Sequence, residues 1–144
     1  MATDIGGIVL HKILLCPEES LTIWPRLKLS FFGSEYNSLY SEITKYYNKY
    51  NSLPSFNDLE ISIRNELIKN NLVALKTLEV PEDVSIELAT EALINEFIQN
   101  ETLIKLDKYV DTITLLDGEE IKQELANILL YLEEKTHISE EIVL

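Results

Sequence analysis

A proline-centred corner is the feature that most constrains how this chain can fold. Residues 46–59 read YYNKYNSLPSFNDL. Pro54 has no amide hydrogen to donate within a helix, and it pushes Leu53 toward extended geometry, so a helix has to end before it. Ser55 is then placed to cap a new helix, with Asp58 three residues later in a variant of the capping box. The sequence therefore predicts two helices that meet at a rigid corner.

The segments on both sides of this corner have the apolar spacing of amphipathic helices. Before the corner, apolar residues recur every three or four positions, which predicts a helix over about residues 35–51 with Ser34 as its cap. After the corner, a second apolar stripe predicts a helix over about residues 56–69. Asn70 and Asn71 are expected to end that helix.

The longest segment without a helix breaker lies in the second half of the chain. Neither proline nor glycine occurs over residues 83–116, and Asp117–Gly118 is the turn signal that follows. The apolar spacing predicts a helix on each side of this turn, over about residues 83–116 and 119–134, and hence an antiparallel helical hairpin. At a rise of 1.5 Å per residue, about thirty residues span roughly 45 Å, which is longer than one small core covers.

These segments together predict an all-α fold. We expect a small helical globular part over residues 1–80, followed by a long antiparallel helical hairpin over residues 81–136. Residues 137–144 read HISEEIVL, and from Ser139 onward they are expected to start a further helix. With 144 residues, 46% of them apolar, the chain can bury a real core.

The apolar stripes on the two arms of the predicted hairpin are candidate contact surfaces. One arm shields only part of the stripe on the other, and a large contiguous apolar patch is unusual on a soluble monomer. Two-fold pairing of hairpins would bury these stripes on both chains at once. The predicted protein interface consists of Leu103, Leu106, Val110 and Ile113 on the outgoing arm and Ile121, Leu125, Ile128, Leu129 and Leu132 on the return arm.

The charge of the chain restricts the partners that it can bind. The 12 basic and 25 acidic residues give a formal net charge of −13. This disfavours direct binding to nucleic acid, which needs cations to neutralise phosphates, and it disfavours docking on an anionic membrane. The acidity is typical of a solvated surface or of a protein that binds a partner with a basic face. Because no apolar run approaches the ~18 residues of a membrane span and no signal peptide is recognisable, we expect a cytoplasmic protein.

No residue pattern predicts catalysis, a metal site or a cofactor. The four glycines, Gly6, Gly7, Gly33 and Gly118, build neither a P-loop nor a dinucleotide-binding fingerprint. The two histidines lack the neighbouring ligands of a zinc site. Cys16 is expected to be a small core residue rather than a catalytic thiol. We therefore expect no catalytic, cofactor-binding or metal-binding residues in this chain.

The order of these elements resembles the N-terminal domain of DnaB-type hexameric replicative helicases, and more closely the version in T-even-type phage helicases. The resemblance rests on the apolar helix at residues 7–15, on Trp24–Pro25 and Phe31–Phe32, on the corner at residues 46–59 and on the hairpin after Pro81. The resemblance covers nearly the whole chain. It depends on the order of these segments along the chain rather than on any single motif.

The resemblance implies a non-catalytic collar domain. In the family, this domain pairs through its hairpin, and three pairs crown a ring of six ATPase domains. The collar supports ring assembly and contacts primase and helicase-loading proteins. The chain would then be a fragment of an ATP-dependent DNA helicase, in the host cytoplasm if it is phage-encoded. Residues 137–144 would be the start of a linker to a motor domain absent from this chain. The alternative is a stand-alone helical adaptor or regulator that binds a basic protein partner.

Overall fold

The structure, a computed structural model, describes residues 4–136, and this range is all-helical without strands. The expected all-α class is confirmed. The predicted start of a linker at residues 137–144 lies outside the described range. The six α-helices are α1 (Ile5–Leu15), α2 (Ser34–Tyr50), α3 (Phe56–Ser62), α4 (Glu66–Lys76), α5 (Ile86–Val110) and α6 (Gly118–Thr136). Short 3-10 helices lie at Trp24–Arg26, Leu29–Phe31 and Ile113–Leu115.

The chain divides into two compact units, Met1–Leu93 and Ile94–Leu144, with the boundary inside α5. In the first unit, α2 packs against α1, α3 and α4, and α4 packs in turn against α1 and α3. The buried side chains of α1 lie almost all round the helix, as its continuous apolar sequence predicts. They are Ile8, Val9, Leu10, Ile13 and Leu14.

The corner has the predicted geometry. Asn51 ends α2 in the left-handed region, with φ of 56°, which asparagine adopts more readily than most residues. Leu53 and Pro54 are buried. The Ser55 hydroxyl accepts the Asp58 N–H at 3.1 Å, and the Asp58 carboxylate accepts the Ser55 N–H at 2.9 Å. These reciprocal bonds form a complete capping box, so the prediction of a capped helix after the proline is confirmed.

The prediction of a single helix over residues 56–69 is wrong, because two helices, α3 and α4, lie in this region. Ile63 ends α3 in an extended conformation, with φ of −77° and ψ of 129°, and only 1% of the residue is exposed. Asn65 then starts α4 by accepting the N–H groups of Leu67 and Ile68 at 2.9 and 3.2 Å. Burial of an isoleucine and a new side-chain cap compensate for the interrupted helical hydrogen bonds.

Three further local expectations are wrong. Asn70 and Asn71 lie inside α4 rather than at the end of a helix, because packing of α4 on three other helices overrides their weak helix preference. Ser34 is the first residue of α2, and Gly33 is its N-cap without a side-chain hydrogen bond. Cys16 is exposed rather than in the core, because it is the C-cap residue beyond the buried part of α1.

An aromatic cluster fixes the segment between α1 and α2 onto α2. The Tyr40 ring stacks on Trp24, with 5.0 Å between ring centroids, and lies 5.2 Å from the Phe32 ring. The Tyr40 hydroxyl donates to the Leu27 carbonyl at 3.1 Å. Burial raises the pKa of Tyr40, so this hydroxyl keeps its proton and its role as a donor.

The long helix α5 is shorter than the sequence predicts at both ends. It begins at Ile86 rather than near residue 83. Just before Ile86, the Ser85 hydroxyl accepts the Leu88 N–H at 3.1 Å. It ends at Val110 rather than near residue 116. The residues that follow, 112–114, are the β-branched run Thr-Ile-Thr, which has a lower helix propensity than straight-chain residues. No helix within residues 4–136 has the length and apolarity needed to cross a bilayer.

Asp117 determines where α6 begins. Its carboxylate accepts the Glu120 N–H at 2.9 Å, and the Glu120 carboxylate accepts the Asp117 N–H at 3.2 Å. This second reciprocal cap places the start of α6 at Gly118, within one residue of the expected position.

Candidate functional site

All nine residues of the predicted protein interface lie in the second unit, and none of them is buried. On α5, Leu103 is 66% exposed and Val110 is 63% exposed. On α6, Leu125 is 48% exposed and Leu129 is 59% exposed. Leu106 is also exposed, and the half-buried members are Ile113, Ile121, Ile128 and Leu132.

Two further apolar residues enlarge this exposed surface. Ile104 is 51% exposed and follows Leu103, and Leu130 is 55% exposed and follows Leu129. Neither residue is three or four positions from a predicted interface residue of its own arm, so the helical spacing did not indicate them. None of the described residues of α6 is fully buried, although Ile121, Ile128 and Leu132 are half-buried. We call the nine predicted residues with Ile104 and Leu130 the apolar surface of the second unit.

A polar cluster around Tyr131 connects α5 to α6. The Tyr131 hydroxyl donates to the Glu101 carboxylate, 30 residues earlier in the chain. Lys105 Nζ lies 4.2 Å from the centroid of the Tyr131 ring, and Lys135 Nζ lies 5.7 Å from it. Both distances are within the range of cation–π attraction. The cluster was not predicted, although Glu101 and Lys105 are spaced by four, as are Tyr131 and Lys135.

The hydrogen bond to Glu101 is the main cause of a raised pKa at Tyr131, followed by desolvation and by the negative charge of Glu101. The shift follows because ionised tyrosine would lose the donor and face a carboxylate. The Tyr131 hydroxyl therefore stays a donor across the physiological pH range. The bond therefore joins α5 to α6 across that range.

Among the described residues, metal-ligating side chains do not cluster, and the exposed Cys16 has no histidine beside it. No group of three or more His, Cys, Asp or Glu side chains that could hold a metal ion occurs within residues 4–136. A cavity of about 450 Å³ beside the end of α1 is lined by Cys16, Lys12 and three glutamates, among other residues, without a histidine that could activate the thiol. His11 is engaged elsewhere, because its Nδ1 lies 2.9 Å from the Leu75 carbonyl oxygen and its ring contacts Phe56.

Comparison with protein families, with characterised proteins and with solved structures gives no match for this chain.

Proposed function

We propose that this chain is a non-catalytic protein-interaction domain of the collar type that DnaB-type replicative helicases carry at their N-terminus. The observation that carries the proposal is the apolar surface of the second unit. Exposed apolar residues gathered on two helices are typical of a protein–protein contact surface.

The proposal includes an antiparallel hairpin made from the second part of α5 and α6. The hydrogen bond between Glu101 and Tyr131 and the position of Lys105 against the Tyr131 ring support it. Glu101 lies in the middle of α5 and Tyr131 near the end of α6, which fits two arms that run in opposite directions from the turn at Asp117.

Self-association through this surface should be weak in the isolated domain. Complete burial of a leucine contributes about 1.5–3 kcal/mol, so side chains that are about half exposed contribute roughly half of that each. In a two-fold pair, five such residues on each chain total roughly 8–15 kcal/mol, which the association cost of about 4–15 kcal/mol largely offsets. Pairing then needs the high local concentration that a hexameric ring of motor domains supplies.

The proposed partners are other copies of this chain, in a dimer or a hexameric ring, together with primase and a helicase-loading protein. The resemblance to the helicase collar supports these partners, and the net charge of −13 favours a partner with a basic face. In this proposal the chain acts in the cytoplasm, in that of the host if it is phage-encoded, and contributes neither ATP hydrolysis nor direct contact with nucleic acid. The alternative is a stand-alone adaptor or regulator that binds a basic protein, and the same negative charge would attract that partner.

Equilibrium sedimentation of the chain at increasing concentration tests the self-association. We expect dimers or larger species at high concentration, and we expect Leu106→Asp and Leu125→Asp to weaken them because each would bury an unpaired charge. Leu67→Asp is the matched control, since Leu67 is 73% exposed on α4 of the first unit. A parent chain that remains monomeric at millimolar concentration would refute the proposal. So would loss of helical circular dichroism in both surface variants, because their side chains would then belong to an internal core.

The helicase assignment has a separate test in the gene that encodes the chain. A phosphate-binding loop encoded within the next hundred or so codons after Leu144 would support a collar domain attached to a motor. A stop codon directly after Leu144 would favour the stand-alone adaptor.

A further inference from the structure

A groove between the C-terminal half of α2 and the end of α3 has a charge opposite to that of the whole chain. It encloses about 380 Å³. Three cations and a single carboxylate line it, whereas the chain has a formal net charge of −13. We call it the α2–α3 groove, and its lining residues are Glu42, Lys45, Tyr46, Lys49, Tyr50, Ile61, Ser62 and Arg64.

Two of the three cations are available to a ligand. Lys45 pairs with Glu42 at 3.1 Å, which neutralises the single carboxylate of the lining. Lys49 and Arg64 are exposed, and neither forms an ion pair with any residue in the range 4–136. Asp58 interacts with the lining residue Tyr46, and its carboxylate accepts the Ser55 N–H in the capping box, but it forms no ion pair with Lys49 or Arg64 within residues 4–136. The groove therefore presents an ammonium and a guanidinium that have no internal carboxylate partner.

An apolar wall lies beside these cations. Ile61 is 85% exposed, the largest exposure among the large apolar residues of the described chain, and Tyr50 is 54% exposed. The rings of Tyr46 and Tyr50 lie 4.6 Å apart between centroids, which holds Tyr50 against the end of α2. Lys49 Nζ lies 5.3 Å from the centroid of the Tyr50 ring. A ligand with carboxylates and an aliphatic side chain could therefore contact the two cations and the apolar wall at the same time.

We propose that the α2–α3 groove binds an acidic peptide segment of a partner protein, with its carboxylates on Lys49 and Arg64 and an aliphatic side chain against Ile61 and Tyr50. A guanidinium matches a carboxylate with two parallel hydrogen bonds, and burial of an exposed isoleucine adds apolar contact. This site does not depend on the function proposed for the second unit, since every lining residue lies in the first.

The charge of the chain favours a peptide over a nucleic acid as the occupant. A polynucleotide carries a phosphate at every residue, and its binding depends on the release of many counterions. Two unpaired cations neutralise few phosphates, and the acidic remainder of the chain repels a long polyanion. A short peptide with two or three carboxylates places its negative charge only at the groove.

The test uses NMR titration with a synthetic peptide that contains two consecutive glutamates followed by an isoleucine and a leucine. The matched peptide has glutamines in place of the glutamates. The protein variants are Lys49→Glu and Arg64→Glu, and the control is Lys76→Glu. Lys76 is exposed in the same unit but lies outside the groove, so the control changes net charge by the same amount. Thermal melts establish that each variant folds.

We expect amide shifts confined to the groove, and a loss of affinity of about tenfold or more in each groove variant, since a lost charge pair is replaced by repulsion. Lys76→Glu should change affinity by less than about twofold, because distant exposed charges are screened at physiological salt. Equal affinity for the glutamine peptide, an equal loss with Lys76→Glu, or no binding at millimolar peptide would overturn the proposal. Tighter binding of a single-stranded oligothymidylate to the groove would also overturn it, in favour of a nucleic-acid site.

Discussion

Replacement of Gly7 by alanine should destabilise the first unit, although alanine is the better helix former. A Cβ at Gly7 would lie 2.6 Å from the Tyr36 hydroxyl oxygen, 2.7 Å from Asp4 Oδ2 and 2.9 Å from Leu78 Cδ2. The Tyr36 hydroxyl donates to the Asp4 carboxylate, and the same carboxylate accepts the Gly7 N–H at 3.1 Å as the cap of α1. The new methyl group would therefore displace a hydrogen-bonded pair and the cap together.

The expected magnitude follows from three opposing contributions. Alanine in place of glycine within a helix contributes about 0.5–1 kcal/mol. Overpacking costs about 1–3 kcal/mol, and a weakened N-cap costs about 0.5–2 kcal/mol. Gly7→Ala should therefore lower the free energy of unfolding by about 0.5–4.5 kcal/mol, because the two costs exceed the gain.

Gly6→Ala is the matched control in the same helix. Its Cβ would meet Phe32 and Tyr36 at 3.5 Å, which is ordinary van der Waals contact, so stability should be unchanged or rise by up to about 1 kcal/mol. Urea unfolding followed by circular dichroism measures both variants. If Gly7→Ala were as stable as Gly6→Ala, the packing of α1 against Asp4, Tyr36 and Leu78 would be refuted.

Tyr36 provides a second readout of the same variant. Desolvation by burial raises its pKa above the ordinary value, and the hydrogen bond and the negative charge of Asp4 raise it further. Displacement of the pair by Gly7→Ala should lower the Tyr36 pKa toward the ordinary value, whereas Gly6→Ala should leave it unchanged. NMR titration of the Tyr36 ring carbon measures both.

Three further predictions concern the caps, the Tyr131 cluster and nucleotide binding. Ser55→Ala should lower the free energy of unfolding by about 0.5–2 kcal/mol, and a thermal melt identical to that of the parent would contradict the capping box. Glu101→Gln should lower the raised pKa of Tyr131. Folding raises the Tyr131 pKa, so the interaction with Glu101 stabilises the folded chain fully at pH values below the ordinary tyrosine pKa and is lost as the pH rises through the raised pKa. Over that pH range the free energy of unfolding should therefore fall more in the parent than in Glu101→Gln. Calorimetry should detect no binding of magnesium–ATP, since the four glycines permit no phosphate-binding loop, and micromolar affinity would disprove this.

Local sequence signals succeeded where the partners of a contact are close along the chain. The capping box of Ser55 and Asp58 spans four residues, and Pro54 breaks a helix through its own covalent structure. The cap of α4 at Asn65 has the same local character, yet the continuous apolar spacing across Ile63 concealed it. The same apolar spacing is expected for one continuous helix and for two successive helices that bury the same face, so it does not show where a helix ends.

The candidate surfaces show where local signals fail. The stripe positions Leu103, Val110 and Leu129 were identified from their spacing, but spacing alone does not distinguish a side chain in a core from an exposed one. The α2–α3 groove was not predicted because Lys49 and Arg64 lie on different elements, and no periodicity relates them.

The sequence by itself determined the all-α class, the proline corner and its cap, because these depend on helical periodicity and on groups a few residues apart. The tertiary structure alone decided the break at Ile63, the exposure of Cys16 and the juxtaposition of Lys49 with Arg64. The physical reason is that burial and surface charge depend on which helices pack together, and those contacts join residues far apart along the chain.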